Sequence, residues 1–349
     1  MKITFLVRSI TISGGLRAVL KLSDLLAKRG HDVEVTVGEG PKVSRKNFDF
    51  SRPLWQPTAA RIRFASNLFG KNLRDSDVTI ATAWSTAIAL NSADARVGLK
   101  AYFIQHYESL FHGPKAKVDP TYRYGFYNIA TSHWLKDLLR EVFHAPSVLF
   151  ITPVDLAVFV PGPVNRSSAF RICTLYSKVH WKRFETGLET IRLVRASGRP
   201  VELVLISAQP VSFDEPGVEL HVGKSQGDLA EVFRSCDVYL STSMVEGLGM
   251  PQMEAMACGC ALVTTDTWGC RSYAVDGKNA LIVDPASARG LADAIIRLYD
   301  NRKEMKKFQR AGMRKISSFS WDKAVKKLEA GFIRQIRRTQ KTSKQLSCS

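Results

Sequence analysis

Near its start, the sequence places an apolar strand pattern, a glycine pair and an amphipathic helix pattern one after another. Residues 3–9 (ITFLVRS) are rich in β-branched and aromatic side chains, which favours a strand. Residues 13–30 repeat apolar side chains at helical spacing after Gly14 and Gly15, and residues 31–38 (HDVEVTVG) again have the composition of a strand. A strand, a helix and a strand in this order form a parallel unit, so the sequence predicts an α/β fold.

The same alternation continues along the chain and restarts after a proline-rich segment. Further strand and helix patterns occupy residues 77–83, 100–106, 128–132, 134–143, 171–177, 184–198 and 201–207. Residues 153–168 are rich in proline and loop residues, so we place a domain boundary there. The sequence thus predicts two α/β domains of similar size with separate parallel sheets, over residues 1–155 and 165–320.

Composition limits the class of protein. The 349 residues are 45% hydrophobic and 23% charged, which is typical of globular domains. No apolar run approaches the roughly 20 residues that a membrane-spanning helix requires. The six cysteines have no zinc-binding spacing, so we expect reduced, buried thiols in a cytoplasmic protein and no bound metal.

The chain is strongly basic, and its charge is concentrated at one end. The formal net charge is +18, and residues 302–349 alone hold 15 Lys or Arg against 3 Asp or Glu. Helical spacing predicts one apolar face there, formed by Trp321, Val325, Leu328, Phe332 and Ile336. The other positions include Lys323, Lys326, Lys327, Arg334, Arg337 and Arg338. We expect the apolar face to dock on protein and the basic face to contact an anionic membrane surface or nucleic acid, unless it is only solvated.

The glycine pair near the start has two interpretations. Gly14 and Gly15 lie where a strand ends and a helix begins, which is where open parallel sheets bind ligands. A helix N-terminus there would present free N–H groups to an anion. The spaced glycines of the dinucleotide fingerprint are absent from ISGGLRAV. The pair is therefore a candidate for ligand binding, and a turn without a ligand is an equal alternative.

A second glycine-rich turn carries more chemistry. A strand pattern (DVYLST) is followed by a loop with Gly247 and Gly249 and by a helix that we expect to start near Pro251. Glu246 would lie in the loop and Glu254 in the first helical turn, where a carboxylate could also act only on the helix dipole. Three basic residues follow an upstream strand and should reach the same sheet edge: Lys178, Lys182 and Arg183. Cations facing a helix N-terminus would suit a diphosphate, and a carboxylate beyond them could bind a ribose diol.

The segment Glu246–Glu254 resembles the E-x7-E signature of family 4 retaining glycosyltransferases. The similarity extends over most of the chain, for example in SGGLRAVLKLSDLLAKRGHDVEV, ITPVDLAVF and FSWDKAV. QHYESLF and SYAVDGKNAL also resemble a bacterial subgroup that includes rhamnosyl and related polysaccharide transferases. The resemblance implies the GT-B fold, with two Rossmann-like domains facing a cleft and C-terminal helices packing back toward the first domain.

The resemblance also implies roles for the domains and for single residues. Residues 1–155, joined by a helix at about 322–340, would bind the acceptor, and residues 165–320 would bind the nucleotide sugar. Glu246 and His106 would face the donor sugar as catalytic candidates, and Glu254 would bind the ribose. The other donor-binding candidates are Lys178 and Arg183 at the diphosphate, the backbone of Gly247, Leu248 and Gly249, and the pair Gly14 and Gly15.

Two positions depart from the family pattern. Residues 268–272 (WGCRS) stand where the family often has Gly-Gly-x-Pro-Glu, so that glutamate is missing. Lys178 and Arg183 keep the spacing of the family's Arg and Lys but exchange the residue types, which preserves the charge. The first departure leaves the identity of the donor sugar open.

By this resemblance, the chain is expected to move a hexose or deoxyhexose from a nucleoside-diphosphate sugar to a glycan or lipid-linked acceptor in cell-surface polysaccharide synthesis. Transfer would need no metal and no cofactor besides the donor, in the cytoplasm or at the inner membrane face. The D-x-D at Asp75 and Asp77 precedes a strand, which predicts a turn rather than a metal site. The alternatives are a sugar-nucleotide epimerase of the same fold and a nucleic-acid-binding protein. The second is disfavoured because the basic residues are not interleaved with stacking aromatics.

Overall fold

In a computed structural model, the chain divides into two compact units. The first unit is Met1–Thr152 together with Asp322–Ser349, and the second is Pro153–Trp321. The structure describes residues 1–10, 13–38, 56–164, 168–211, 213, 215–283 and 287–347. Residues 165–167 of the predicted boundary segment, and Cys348, lie outside this part of the chain.

The described strands of the first unit form one parallel sheet. They are β1 (Lys2–Val7), β2 (Asp32–Gly38), β3 (Arg61–Ala65), β4 (Val78–Ala81), β5 (Leu99–Ile104), β6 (Tyr127–Ala130) and β7 (Ser147–Leu149). Their order is β3-β2-β1-β4-β5-β6-β7, so the direction of winding reverses between β1 and β4. Ile3 pairs with Val33 on one side and Val78 on the other. All three side chains are buried, as expected when helices cover both faces of a parallel sheet.

Helices and short 3-10 turns connect these strands. The helices are α1 (Gly14–Lys28), α2 (Trp84–Asn91), α3 (Lys115–Val118) and α4 (His133–Glu141). The 3-10 turns are Gly70–Asn72, Ala95–Val97, Glu108–Leu110 and Asp119–Arg123. The Ser13 hydroxyl caps α1 by accepting the Leu16 N–H at 3.2 Å, and Leu22 and Leu26 are buried on its inner face. The helix predicted after the glycine pair is therefore confirmed, with Gly14 as its first residue.

The second unit repeats this architecture in its own sheet. Its strands are β8 (Phe170–Leu175), β9 (Val201–Ser207), β10 (Val218–Val222), β11 (Val238–Ser241), β12 (Ala261–Thr265) and β13 (Ala280–Val283). Its helices are α5 (Phe184–Ala196), α6 (Gln226–Arg234), α7 (Met250–Cys258), α8 (Ala288–Asp300) and α9 (Arg302–Ser317), and 3-10 turns occupy His180–Lys182 and Gly269–Ser272. The strand order is β10-β9-β8-β11-β12-β13, all parallel, which confirms the predicted fold of two parallel α/β sheets.

The core of the second unit is aliphatic and holds several thiols. Leu203, Leu205 and Val263 line its sheet and are fully buried. The described cysteines are free and buried, at Cys173, Cys236, Cys258, Cys260 and Cys270. Burial raises the pKa of the Cys258 thiol to about 12, because an apolar environment disfavours the thiolate. The expectation of reduced, buried thiols is confirmed for these five residues.

The last helix, α10 (Trp321–Ser347), packs within the first unit from Asp322 onward. Val325, Leu328 and Phe332 are buried, and the Phe332 ring lies 5.8 Å from that of Tyr127. Glu329 accepts from both Arg29, at 2.7 Å, and His31, at 2.9 Å. The six predicted basic positions are all exposed, at Lys323, Lys326, Lys327, Arg334, Arg337 and Arg338. The predicted division into an apolar docking face and a basic outer face is confirmed.

Among the helices that the structure describes, none combines the length and the apolar character needed to cross a bilayer.

Candidate functional site

A pocket in the second unit opens where the strand order of its sheet reverses. β8 and β11 are neighbours there although they are not consecutive in the chain. Open parallel sheets bind ligands beyond the carboxyl ends of such strands. The pocket is lined by Thr174, Leu175, Lys182, Tyr239, Leu240, Ser241, Thr242, Ser243, Glu246, Gly249, Pro251 and Gln252. The ends of both strands, the glycine turn and the start of α7 thus converge on one site.

Lys182 and Glu246 form an ion pair in the wall of this pocket. The Lys182 Nζ lies 2.5 Å from Oε1 of Glu246, and the two side chains keep 32% and 17% of their surface exposed. The backbone behind Lys182 is fixed, because the Thr242 hydroxyl lies 2.9 Å from the carbonyl oxygens of both Lys182 and Arg183. A cation and a carboxylate therefore face the same cavity and remain accessible to a ligand.

Gly249 sets the start of α7 at the pocket. Its φ of +93° lies in the left-handed region that favours glycine, and a Cβ there would meet the Tyr273 hydroxyl at 2.7 Å. Tyr273 donates to Gln252 Oε1 at 2.6 Å, and Gln252 Nε2 donates to the Ser241 hydroxyl at 2.9 Å. Packing therefore fixes the helix N-terminus, whose dipole and N–H groups favour an anion in the pocket.

The structure corrects the predicted position of Glu254. We expected it in the first turn of the helix, but α7 begins at Met250, so Glu254 is its fifth residue. The left-handed conformation of Gly249 lets the helix start one residue before Pro251. Glu254 is also only 2% exposed, so the modest dipole interaction of a surface carboxylate does not account for it.

The other predicted residues of the second unit lie at different places. Two are buried in the loop before α7, Gly247 and Leu248. Lys178 is exposed and is not among the residues that line the pocket. Arg183 has a φ of +49° and stands at the start of α5, where its carbonyl accepts from Thr242. The cation that the structure brings to Glu246 is Lys182, which was predicted at this sheet edge with Lys178 and Arg183 but has no role in the family resemblance.

A second cavity, of about 270 Å³, opens where the sheet of the first unit reverses. It is lined by Val7, Arg8, Ser9, Ser13, Gly15, Leu16, Val19, Thr82, Ala83, Gln105, His106, Glu108 and His112. A Cβ on Gly15 would lie 3.2 Å from the Gln105 side-chain oxygen, so a larger residue would crowd the wall. The His106 ring lies 5.1 Å from that of His112. The structure therefore brings Gly15 and His106 to one cavity, while Gly14 begins α1 outside its lining.

Glu108 is a half-buried carboxylate in this cavity that was not among the candidates predicted from the sequence. Its Oε2 accepts hydrogen bonds from the backbone N–H of Trp84 and the hydroxyl of Tyr102, both at 2.7 Å. The first bond satisfies a free donor at the start of α2. The pKa of Glu108 rises from 4.5 to about 7, because desolvation outweighs both hydrogen bonds. A glutamate among the aromatic residues of QHYESLF is the only sequence signal for it.

The two aspartates of the D-x-D, Asp75 and Asp77, contact neighbouring residues of the first unit. The Asp77 carboxylate accepts the Lys2 N–H at 2.6 Å, and Asp75 lies 3.5 Å from Arg96. Within the described ranges, no three His, Cys, Asp or Glu side chains are grouped so that they could hold a metal ion. Both residues lie in the connection between the 3-10 turn Gly70–Asn72 and β4, where a turn into a strand was predicted.

A family comparison identifies the segment that contains the glycine turn and α7. Residues 215–315 match the family model described as glycosyl transferases group 1. Over this segment, the chain is similar to the group 1 glycosyl transferases. The matched segment includes the pocket residues from Tyr239 to Gln252 and begins after Lys182.

The chain also aligns with a longer curated relative. It is 29% identical over 269 residues to the O-antigen biosynthesis protein RfbC of Myxococcus xanthus. The alignment covers 74% of the present chain but 21% of RfbC, so the chain spans about a fifth of that relative's length.

Solved structures of the same fold agree with the GT-B architecture. The chain superposes on sucrose-phosphate synthase from Thermosynechococcus elongatus with a TM-score of 0.78 at 14% identity, covering 97% of this chain and 100% of that one. It superposes on Anabaena Alr3699/HepE, solved in complex with UDP and glucose, with a TM-score of 0.74 at 14% identity, covering 96% and 100%. At these identities, the similarity establishes the fold.

Proposed function

We propose that the protein is a retaining glycosyltransferase that moves a hexose or deoxyhexose from a nucleoside-diphosphate sugar to a glycan or lipid-linked acceptor. The observation that carries this proposal is the Lys182–Glu246 pair beside the start of α7. A cation and a helix N-terminus suit a diphosphate, and a neighbouring carboxylate suits a sugar that becomes positively charged. The family match supports the reaction class, and the HepE complex with UDP and glucose supports a nucleotide-sugar donor.

The proposed chemistry follows from the charge that develops on the leaving group. When the bond from the anomeric carbon to the diphosphate oxygen breaks, the electron pair stays on the diphosphate. Lys182 and the N–H groups at the start of α7 would stabilise that negative charge, which makes a divalent metal unnecessary in this proposal. Glu246 would stabilise the positive sugar ring. The acceptor oxygen would attack from the same face and pass its proton to the departing phosphate oxygen, which retains the configuration.

The remaining residues are assigned by the family resemblance and by their places in the fold. We assign nucleotide ribose binding to Glu254 and backbone contacts with the donor to the loop at 247–249. Lys178 and Arg183 would add positive charge around the diphosphate. The cavity of the first unit would take the acceptor, with His106 in its wall. The name of the RfbC relative supports a role in cell-surface polysaccharide synthesis.

A ligand screen followed by a transfer assay tests this proposal. UDP, GDP, dTDP and ADP, each with and without an attached sugar, are compared for their effect on the melting temperature. A ligand at 100 times its dissociation constant stabilises the fold by about 2.7 kcal/mol, so binding is easily seen. We expect one nucleotide series to bind, and we expect acceptor-dependent transfer with retained configuration in excess chelator.

Three results would contradict the proposal. Failure of every nucleotide and nucleotide sugar to bind would exclude the donor site. Conversion of the sugar nucleotide to an epimer without any acceptor would identify an epimerase instead. Transfer that stops in chelator and returns with magnesium or manganese would contradict the metal-independent mechanism and the role given to Lys182.

We also propose that the exposed basic face of α10 contacts an anionic membrane surface, where a lipid-linked acceptor would be found. Each Lys or Arg near such a surface contributes roughly 1 kcal/mol, screened by salt. Changing Arg334, Arg337 and Arg338 to Glu should therefore lower partitioning onto phosphatidylserine vesicles by at least about 100-fold. The apolar docking face is untouched, so nucleotide binding should not change.

The matched control replaces three exposed arginines on other helices with Glu, which changes the total charge by the same amount. They are Arg140, Arg192 and Arg289. Vesicle co-sedimentation at moderate salt should fall for the α10 variant and much less for the control. Equal losses would show that net charge alone drives binding. If the wild-type protein binds RNA or DNA but no vesicles, the basic face serves nucleic acid instead.

A further inference from the structure

Trp268 occupies an unusual backbone conformation in the loop between β12 and β13. Its φ and ψ are +60° and −49°, and the Gly269 N–H donates to the Thr267 carbonyl at 2.6 Å. These values define the γ-turn with positive φ, which is rare and strained even for small residues. For a bulky indole, such a conformation is a clear outlier. The strain therefore needs an explanation in packing or in function.

The loop around Trp268 is held by contacts on both sides. Within it, Asp266 accepts from the Trp268 N–H at 3.1 Å and from Arg271 Nε at 2.9 Å. Across from it, the Glu246 N–H donates to the Thr267 carbonyl at 3.0 Å, and Glu246 and Trp268 form a parallel β-bridge. These contacts fix the strained turn rather than allow it to relax.

The backbone of Gly269 packs directly against that of Glu246, the catalytic candidate. A Cβ at Gly269 would lie 2.6 Å from the Glu246 carbonyl oxygen and 2.9 Å from that of Gly247. The two backbones therefore touch without any side chain between them. The backbone of Trp268 is consequently paired with that of Glu246, whose carboxylate contacts Lys182 in the pocket, while Trp268 itself lies outside the residues that line that pocket.

Burial of the indole does not explain the strain. Trp268 keeps 40% of its surface exposed, whereas Tyr273, which follows on the same segment, is 1% exposed. An aromatic side chain stabilises a fold chiefly through the area that it buries, and Trp268 leaves much of that area in solvent. Strained backbone conformations cluster at active sites and ligand-binding sites.

We infer that Trp268 is a sugar-binding residue, whose indole packs against the apolar C–H face of the donor's pyranose ring. The inference rests on the proposed function, because the sugar is placed by a diphosphate at Lys182. Pyranose rings present faces of C–H bonds, and the electron-rich face of an indole attracts their partial positive charge. The site thereby favours a sugar with an uninterrupted C–H face, since an axial hydroxyl on that face would lose its water without gaining a partner.

Paired calorimetric titrations separate the sugar from the nucleotide. The probes are UDP and UDP-glucose, GDP and GDP-mannose, and dTDP and dTDP-rhamnose, used with wild-type protein and with Trp268→Ala and Trp268→Phe. For the pair that binds, Trp268→Ala should weaken the binding of the sugar nucleotide by about tenfold and leave the affinity for the bare diphosphate unchanged. Trp268→Phe should retain most of the affinity, because it keeps an aromatic face.

Trp268→Gly distinguishes a ligand-binding role from a packing role. Glycine adopts a positive φ without strain, so this variant should melt at the same or a higher temperature while losing sugar affinity as Trp268→Ala does. His144→Gly is the matched control, because His144 also has a positive φ, of 51°, but lies in the first unit. It should gain stability and keep its affinity for the sugar nucleotide.

The outcomes bear separately on the two proposals. If no diphosphate or sugar nucleotide binds the wild-type protein, the proposed function fails and the role of Trp268 fails with it. A second outcome is that the diphosphates bind while Trp268→Ala weakens the binding of the diphosphate and of its sugar nucleotide equally, or weakens neither. In both cases the donor site stands and the sugar-binding role of Trp268 is wrong. A marked loss of melting temperature in Trp268→Gly would likewise assign the indole to packing and overturn the inference.

Discussion

Replacing Lys182 with methionine is expected to lower turnover by about 10²- to 10³-fold, the loss typical when one group that stabilises a developing negative charge is removed. Methionine keeps much of the length of the lysine side chain but carries no charge. Nζ of Lys182 lies 2.5 Å from Glu246 Oε1 in the pocket, so the same change also releases the carboxylate. Initial rates at saturating donor and acceptor measure this effect directly.

Two other lysines provide the comparison. Lys278→Met removes an exposed charge just before β13, at the amino ends of the parallel strands, whereas the pocket lies at their carboxyl ends. This change should leave turnover unchanged. Lys178→Met tests the cation that the family resemblance selects, and its effect should be smaller than that of Lys182→Met because Lys178 does not line the pocket. A larger loss for Lys178→Met than for Lys182→Met would contradict the assignment of Lys182.

A double variant tests whether the contact between Lys182 and Glu246 matters for the reaction. Glu246→Gln alone should lower turnover and spare nucleotide affinity, because the carboxylate faces the sugar in the proposed mechanism. Groups in direct contact usually show non-additive effects. The combined Lys182→Met and Glu246→Gln variant should therefore lose less activity than the product of the single losses. Full additivity would indicate that the two groups act independently.

The sequence predicted the fold well because its signals are local. Alternating strand and helix patterns located β1, α1, β2 and the second series from β8 onward within a few residues. The error at Glu254 has a backbone cause. The left-handed Gly249 starts α7 at Met250, and nothing in the residue pattern distinguishes this from a start at the proline.

The candidate site was only partly predictable, because its contacts join distant segments. Lys182 reaches Glu246 through a 3-10 turn at His180–Lys182, which decides which of three nearby cations enters the pocket. The strained turn at Trp268 depends on the backbone of Glu246, 22 positions earlier. Spacing along the chain carries no information about such contacts, so residue types alone could not identify them.

Replacing Glu108 with glutamine is expected to remove a pH dependence of stability worth about 3 kcal/mol. The pKa of Glu108 is about 7 in the folded protein against 4.5 as its reference value, and each unit of difference corresponds to about 1.4 kcal/mol. Because the folded pKa is raised, the folded state holds the proton more tightly. The stabilisation is complete below about pH 4.5 and is lost as the pH rises through 7.

Glutamine should reproduce the neutral form of this side chain at every pH. Its carbonyl oxygen can accept from the Trp84 N–H and the Tyr102 hydroxyl, as Glu108 Oε2 does. The variant should therefore match the wild type near pH 4.5 and be more stable by about 3 kcal/mol at pH 8. Arg8, His106, His112 and Tyr122 also face this region and are present in both proteins, so the two curves differ only through Glu108 and its interactions with them.

Urea unfolding of both proteins at several pH values between 4.5 and 8 measures this difference. Hydrogen exchange of the backbone amides in β4 and β5 monitors the unfolding of the first unit. Glu141→Gln is the control, because Glu141 is exposed and the same substitution there should give parallel curves at every pH. Parallel curves for Glu108→Gln as well would show that the pKa of Glu108 is the same in the folded and unfolded states. In that case its hydrogen bonds offset the desolvation, and the carboxylate would cap α2 as an anion at neutral pH.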